Sequence, residues 1–418
     1  MQHTPNPADT RPASVTGFTV FALGDSRKIS TWSNVPYHFA RALERRGFTV
    51  VRVNIAPCKP LQKVHDLFWR ALKLLGLTRT TYSFLRSPAN QLITRWTIER
   101  AMRRHPEHHN LFMTFSFGEN RRGRPFTLFG DMTYEKSISY FEGRKPDKLE
   151  VDAVRTEARN LSRAQLVVSL FPELADSLRA QYGSKVRYYG NVVNIEAPEV
   201  DARALLDKVD QPVELVFIGK EHYRKGLLLL LQAMPLINAD RQEPVRLHVI
   251  GLNRLQVPGV VPPHVTFHGY LDKGKEKERQ LYYDILKRAT LFVNPNVKWG
   301  AFSASLEAMF LYTPVVLFPY GEFTRTFGAE ERVGCYLTSE DPAELARRVL
   351  ELVSDRAGWR QKALNAHAAV KDFTWDNYVS GLVSDLEASD ATSASGRAYA
   401  SRDVPSAEAQ LEPSTGTR

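Results

Sequence analysis

The sequence predicts an α/β protein of two doubly wound domains, each built on a parallel sheet. Three observations carry this reading. Short β-branched and aromatic runs alternate with amphipathic helical patterns along most of the chain. The alternation halts at a Pro-punctuated stretch, Asn194–Pro212, and then restarts. And 418 residues exceed what one ordinary core holds.

The elements follow in order. Phe18–Leu23 reads as a first strand, Val35–Arg46 as a helix and Phe48–Val53 as a second strand. Strands follow at Leu111–Phe115, Pro125–Phe129, Gln165–Leu170 and Val186–Tyr189, with a helix at Pro172–Gln181. After the boundary come strand Val213–Ile218, helix Gly226–Ile237, strand Arg246–Ile250 and short strand Val265–Phe267. Helix Glu276–Arg288, strand Thr290–Val293, helix Ser303–Leu311 and strand Pro314–Phe318 continue the pattern. At Asp341-Pro342-Ala343-Glu344, Asp341 caps a helix, Pro342 occupies its first position and Glu344 completes a capping box. Residues 1–16 and 388–418 hold too few apolar side chains to offset ordering entropy and are expected to be disordered.

Composition narrows the function classes. Cys58 and Cys335 are the only cysteines, which provides no disulfide framework and no metal-ligand spacing. That points to a reducing, cytoplasmic setting. The N-terminus carries no signal-peptide pattern. The greasiest run, Gly226–Ile237, is interrupted by Gln232 and Pro235 and is too short to span a bilayer. Net charge is +10, which favours anionic partners. Zinc-finger spacing, RNP-like strands and basic zippers are all missing from the sequence, so nucleic acid is not an expected partner. His108-His109 reads as a loop pair and His222 as an exposed loop residue, with contact to a donor phosphate as its alternative, and no metal site is expected.

Two constellations carry chemistry. In Phe217–Gly226 a strand ends at Gly219, a cationic loop holds Lys220, Arg224 and Lys225, and a helix opens near Gly226. Glycine lets backbone approach a ligand, and a helix N-terminus offers unpaired N–H groups. With Lys220 and Lys225 these form a cradle for a pyrophosphate; the plain alternative is a solvated basic loop. In Trp299–Met309 a loop enters a helix whose start, Ser303-Ala304-Ser305, is small enough for ligand oxygens to reach the backbone. Glu307 lies one turn in, where a carboxylate can hold a ribose; its plain alternative is a helix-surface glutamate.

These pieces resemble the nucleotide-binding half of glycosyltransferase family 4, retaining enzymes of the two-domain GT-B fold. The cationic loop, Leu247–Gly251, Val265–Leu271, Leu306–Met309 and Thr313–Val316 come in that family's order, and Gly334 near the end of the next strand also fits. Pro125–Tyr134 and Leu166–Gly183 resemble its acceptor domain. The resemblance implies two Rossmann-like domains facing across a cleft. The acceptor domain would span 17–197 and the sugar-nucleotide domain 211–375, with a crossover helix at 376–387. It implies a metal-independent hexosyl- or pentosyltransferase without a cofactor, whose co-substrate is a nucleoside-diphosphate sugar. A glycan or lipid-linked acceptor is implied, as in polysaccharide biosynthesis.

By the same resemblance, Lys220 and Lys225 meet the donor phosphates and Gly219 and Arg224 belong to their loop. Glu307 meets the ribose, while Gly269, Tyr270 and Leu271 lie by the base. Asp131 lies near the donor sugar. The sequence departs from the family at Trp299, where a glutamate contacts the sugar; an indole there implies a donor held partly by stacking. Two rivals stay open, a nucleotide-sugar epimerase of the same fold and a non-catalytic sugar-nucleotide or glycan-binding relative.

One segment stands apart. Between Leu61 and His105 there are nine Lys and Arg against Asp66 and Glu99. Leu61, Val64, Leu67, Phe68, Ala71, Leu72 and Leu75 follow helical spacing. The favoured expectation is a helix packed on the sheet by this stripe. The sharper one is an interfacial helix on an anionic membrane, at its inner face.

Overall fold

The computed structural model describes residues 15–78, 82–195, 201–298 and 302–400, with side chains to Ser389. The chain forms two six-stranded parallel sheets. The first holds β1 (Gly17–Ala22), β2 (Thr49–Asn54), β3 (His109–Phe112), β4 (Phe126–Gly130), β5 (Leu166–Ser169) and β6 (Val186–Arg187), in the order β2-β1-β3-β4-β5-β6. The second holds β7 (Glu214–Ile218), β8 (Arg246–Ile250), β9 (Val265–Gly269), β10 (Leu291–Asn294), β11 (Val315–Leu317) and β12 (Gly334–Tyr336), in the order β12-β11-β10-β7-β8-β9.

Strands covered on both faces must be apolar throughout, and β1, β4 and β10 are buried at every residue. In each sheet the strand order reverses once, between β1 and β3 and between β7 and β10. Open α/β sheets bind ligands outside the carboxyl ends of the strands at such a switch point. Here the carboxyl ends of both sheets line one cleft.

The last helix, Trp375–Ala400, returns to the first domain. Asp376 pairs with Arg45 at 3.0 Å, and Asp385 accepts from Arg187 at 2.9 Å and from Tyr189 at 2.6 Å. Asn194, 1% exposed, is the junction where this helix leaves the second domain. Its Oδ1 accepts from Trp375 Nε1 at 2.9 Å, and its Nδ2 donates to the Ser33 carbonyl at 2.9 Å. One amide thus ties the crossover helix to the loop after β1.

Three expectations are corrected. The last helix continues past Glu387 to Ala400, because an Ala- and Ser-rich stretch without proline does not stop a helix already nucleated. Residues 1–14 and 401–418 of the expected tails lie outside the described residues. Asp341 caps its helix through the Ala343 N–H, yet Glu344 does not reach back to it. Its carboxylate instead accepts from the Thr338 and Ser339 N–H groups at 2.9 and 2.8 Å, closing the preceding loop.

The third correction concerns helix Lys59–Leu74, which buries none of its residues. It is fastened by His65, whose ring lies 5.2 Å from Phe84, and Trp69, 4.5 Å from Tyr82. These two occupy one face four residues apart, so the leucine stripe points outward. Val64 and Leu67 are each 69% exposed.

Asn194→Ala is expected to lower stability by about 1–3 kcal/mol, because it strands the Trp375 N–H and the Ser33 carbonyl together. Trp375→Phe frees the Asn194 oxygen and also vacates space against Phe39 and Tyr378, so it should cost at least as much. Urea unfolding of both variants measures this; an Asn194→Ala protein as stable as the parent would remove the junction from the account.

Candidate active site

The second-domain wall is built by closely nested turns. β7 ends at Ile218, and Gly219 follows with its N–H on the Ile250 carbonyl at 3.0 Å. Gly251, at φ +101°, sits against Gly219 so tightly that a Cβ there would come within 2.3 Å of the Gly219 carbonyl oxygen. Only glycine tolerates that conformation and that approach. Gly269, at φ +65°, faces Asn253 in the same way and turns the chain toward Tyr270. Behind them, the Gly226 N–H donates to Asn296 Oδ1 at 3.0 Å, and a Cβ would overlap that amide.

The cleft encloses about 540 Å³. Of the residues singled out in the sequence it collects Gly219, Lys220, His222, Tyr270, Leu271, Ser303, Ala304 and Glu307 on this wall and Asp131 on the other, His222 being exposed at the cleft's edge. The Lys220 ammonium lies 5.6 Å from the centre of the Tyr270 ring. Lys225 is not on the cleft wall: it is 78% exposed and pairs with Glu340 at 2.7 Å. Arg224 pairs with Glu221 at 2.6 Å on the surface. Ser305 is buried behind the wall, and Gly269 shapes the turn without lining the cavity. Trp299 lies outside the described residues.

Glu307 is not a surface glutamate. It is 2% exposed, and its two carboxylate oxygens accept from Lys273 Nζ at 2.8 and 2.7 Å. The Tyr282 hydroxyl donates to it at 2.6 Å. Burial and the adjacent carboxylate hold Tyr282 well above its ordinary pKa, so it remains a donor. Lys273 stands 4.1 Å over the Tyr282 ring. The three side chains form one unit whose carboxylate keeps lone-pair capacity toward the cleft. Neither Lys273 nor Tyr282 is marked in the sequence. They sit in a turn and a helix, 34 and 25 residues from Glu307, and only packing brings them together.

The first-domain wall is strained and polar. Trp32, Ser33 and Asn34 all have left-handed backbones, at φ 37°, 52° and 72°. Non-glycine residues in that region cost roughly 1–3 kcal/mol each and persist where surrounding contacts over-determine them. Asn194 supplies one such contact through Ser33. Asp131 follows β4. Burial pushes its carboxyl up to about 6, against hydrogen bonds from its own and the Met132 N–H and from the Trp32 side chain. His38, behind this wall, is pushed down to about 4 by burial and by Lys273, Arg45 and Arg41. It is therefore neutral at physiological pH.

Among the described residues, His105, Glu107 and His108 form the one group whose ligand atoms could meet on a metal ion. It precedes β3, at the amino ends of the strands, away from the cleft. Cys58 and Cys335 are both free, one exposed and one buried.

Comparison with known proteins bears on the fold and on the second domain. Residues 212–355 match the family model described as Glycosyl transferases group 1. No curated protein sequence matches the chain significantly. Among solved structures, sucrose-phosphate synthase from Thermosynechococcus elongatus is 17% identical with a TM-score of 0.58, covering 93% of this chain and 99% of that one. WaaG, a glycosyltransferase involved in lipopolysaccharide biosynthesis, is 12% identical at TM-score 0.56, covering 87% and 98%. Anabaena HepE, solved with UDP and glucose, is 16% identical at TM-score 0.55, covering 88% and 99%. The fold is that of GT-B glycosyltransferases.

Glu307→Gln and Lys273→Met should each destabilise by about 3–5 kcal/mol, since each leaves a buried charge or its partner unpaired. The double variant should recover much of that loss. A double-mutant cycle by urea unfolding reads the coupling; additive single effects would show that the pair does not act as a unit.

Proposed function

We propose that this protein is a glycosyltransferase that moves a glycosyl unit from a nucleoside-diphosphate sugar to a hydroxyl, with retention and without a metal. The observation that carries the reading is the convergence, at the switch point of the second sheet, of Gly219, Lys220, Ser303 and Glu307, with Asp131 across the cleft. The family match over the same domain supports it.

In this mechanism Lys220 and the backbone N–H groups at the start of helix Ser303–Phe310 hold the diphosphate. Glu307, fixed by Lys273 and Tyr282, accepts from the ribose hydroxyls. The C1–O bond to the β-phosphate breaks and a C1–O bond to the acceptor oxygen forms on the same face. The acceptor's hydroxyl proton passes to the departing diphosphate. Charge develops on that diphosphate, and preorganised cations aimed at developing charge are the largest catalytic term. Lys225 reaches the phosphates only by leaving Glu340, so it takes the smaller share. Trp299 disfavours a sugar fixed by a carboxylate on its hydroxyls and favours a deoxy, amino-acylated or pentose donor, because an indole offers one N–H and an apolar face.

The acceptor is a glycan or a lipid-linked glycan, met at the inner face of an anionic membrane. Support comes from the outward stripe of helix Lys59–Leu74 and from Leu92, Ile93 and Trp96 on helix Pro88–Arg104, all exposed. Lys63, Arg70, Lys73, Arg95 and Arg103 share those two helices. No described helix is long and apolar enough to cross a membrane, so contact would be peripheral.

Lys220→Ala should lower kcat/KM by about 10- to 100-fold, the value of a charge-assisted contact, and Lys225→Ala by less. Product analysis with donor alone and with acceptor separates transfer from epimerisation or mere binding. Conversion of donor without acceptor, or unaltered kinetics in Lys220→Ala, would sink the reading. The membrane reading has its own test, sedimentation with vesicles. Binding should require anionic lipid and weaken as salt rises; no sedimentation with anionic vesicles at low salt would discard it.

A further inference from the structure

Arg86 lines the cleft on the first-domain wall, beside Asp131, Thr133 and Tyr134. It belongs to a short helical turn, Phe84–Arg86, that is held from several sides. Phe84 is buried against His65. The Ser87 hydroxyl donates to the Phe84 carbonyl at 2.8 Å and accepts from the Asn90 N–H at 3.2 Å. Asn90, itself buried, donates to the Leu85 carbonyl at 2.9 Å. The guanidinium lies 3.8 Å over the ring of Tyr134. That ring is fixed as well. The Tyr134 N–H donates to Glu157 at 2.7 Å, and its hydroxyl donates to Glu150 at 3.3 Å.

A cation so placed normally finds a carboxylate. Among the described residues none lies within ion-pair distance of Arg86, and its guanidinium has no hydrogen-bond acceptor. The nearby acids are engaged elsewhere. Glu150 forms a two-pronged bond with Arg144 at 2.6 and 2.8 Å and closes a capping box with Asp147. Glu157 is pushed up to about 7 by burial, so at neutral pH it is only partly charged. Burial also lowers the pKa of Arg86 itself, against the attraction of Glu157, Tyr134 and Glu150, none of which forms an ion pair or hydrogen bond with it. Guanidinium stays charged regardless, with five N–H donors in a planar fork suited to phosphate or carboxylate.

We propose that Arg86 is the anion-recognition point of the acceptor site, receiving a phosphate or carboxylate group carried by the acceptor. The proposal rests on the glycosyl-transfer reading for the word acceptor, and on geometry alone for the anion. The phosphate-loop elements all belong to the second domain, whereas Arg86 stands on the first-domain wall across the cleft from Lys220, and this second cation is assigned to the acceptor. The turn that holds Arg86 also joins the two helices with the outward apolar side chains.

The test uses the full chain. The protein is saturated with whichever of UDP, GDP and ADP raises its melting temperature. It is then titrated calorimetrically with ethyl phosphate and, separately, with glucuronate. We expect at least one anion to bind, at least tenfold more weakly in Arg86→Gln, with partial recovery in Arg86→Lys and nucleotide affinity unchanged in both. Preference for ethyl phosphate identifies a phosphorylated acceptor, and preference for glucuronate an acidic sugar. The proposal is overturned if neither anion binds, if Arg86→Gln binds them as the parent does, or if nucleotide affinity falls by the same factor. A protein that answers to no nucleotide fails the glycosyl-transfer reading instead. The anion titration is then read on the free protein by the same criteria.

Discussion

Two sheets whose carboxyl ends line one cavity must be held in a fixed relation, and one buried amide does much of this. Asn194 stands where the chain leaves the first domain, and its side chain joins the loop after β1 to the first residue of the returning helix. The Tyr283 hydroxyl, from the second domain, approaches the Asn194 carbonyl at 3.5 Å. The strained run Trp32–Asn34 can keep its left-handed backbone because Ser33 is tied down here. That run places Trp32 on Asp131, so the site's acidic residue depends on the same junction.

A second tie crosses the cleft. Glu322, in the second domain, accepts from the N–H groups of Glu173 and Leu174 at 2.8 and 3.1 Å, capping helix Pro172–Tyr182 of the first. A carboxylate at a helix N-terminus meets unpaired donors and the positive end of the dipole. Lys136 joins it at 3.3 Å. Burial raises the Glu322 pKa against the Glu173 N–H and Lys136, so the charged cap is held at a desolvation cost that these partners offset only in part.

Charge in the cleft is arranged unevenly. Glu307 and Lys273 neutralise each other within the wall and leave the carboxylate oriented. Lys220 and Arg86, on opposite walls, keep their charge toward the cavity. The chain's net charge of +10 does not itself locate a ligand; Lys220 and Arg86 lining one cavity mark where an anion is to be sought. Under the two proposals made above, they would meet a diphosphate on one side and an acidic acceptor on the other.

Much of this was readable in the sequence, because strand and helix patterns are local. Apolar runs such as Val213–Ile218 and Arg246–Ile250 matched observed strands to within a residue. The glycine-bearing turn at Gly219 and the small-residue helix start before Glu307 were visible as strand–loop–helix transitions. The sequence alone therefore determined the fold class and one wall of the cleft. The partners of Glu307, the surface position of Lys225 and the outward face of helix Lys59–Leu74 were decided only by tertiary structure. Periodicity marks a stripe as apolar but does not say whether a neighbour covers it. His65 and Trp69 anchored that helix by a different face. A salt bridge between residues 34 positions apart leaves no trace in spacing, and that Arg86 forms no ion pair shows only once the carboxylates around it have been placed.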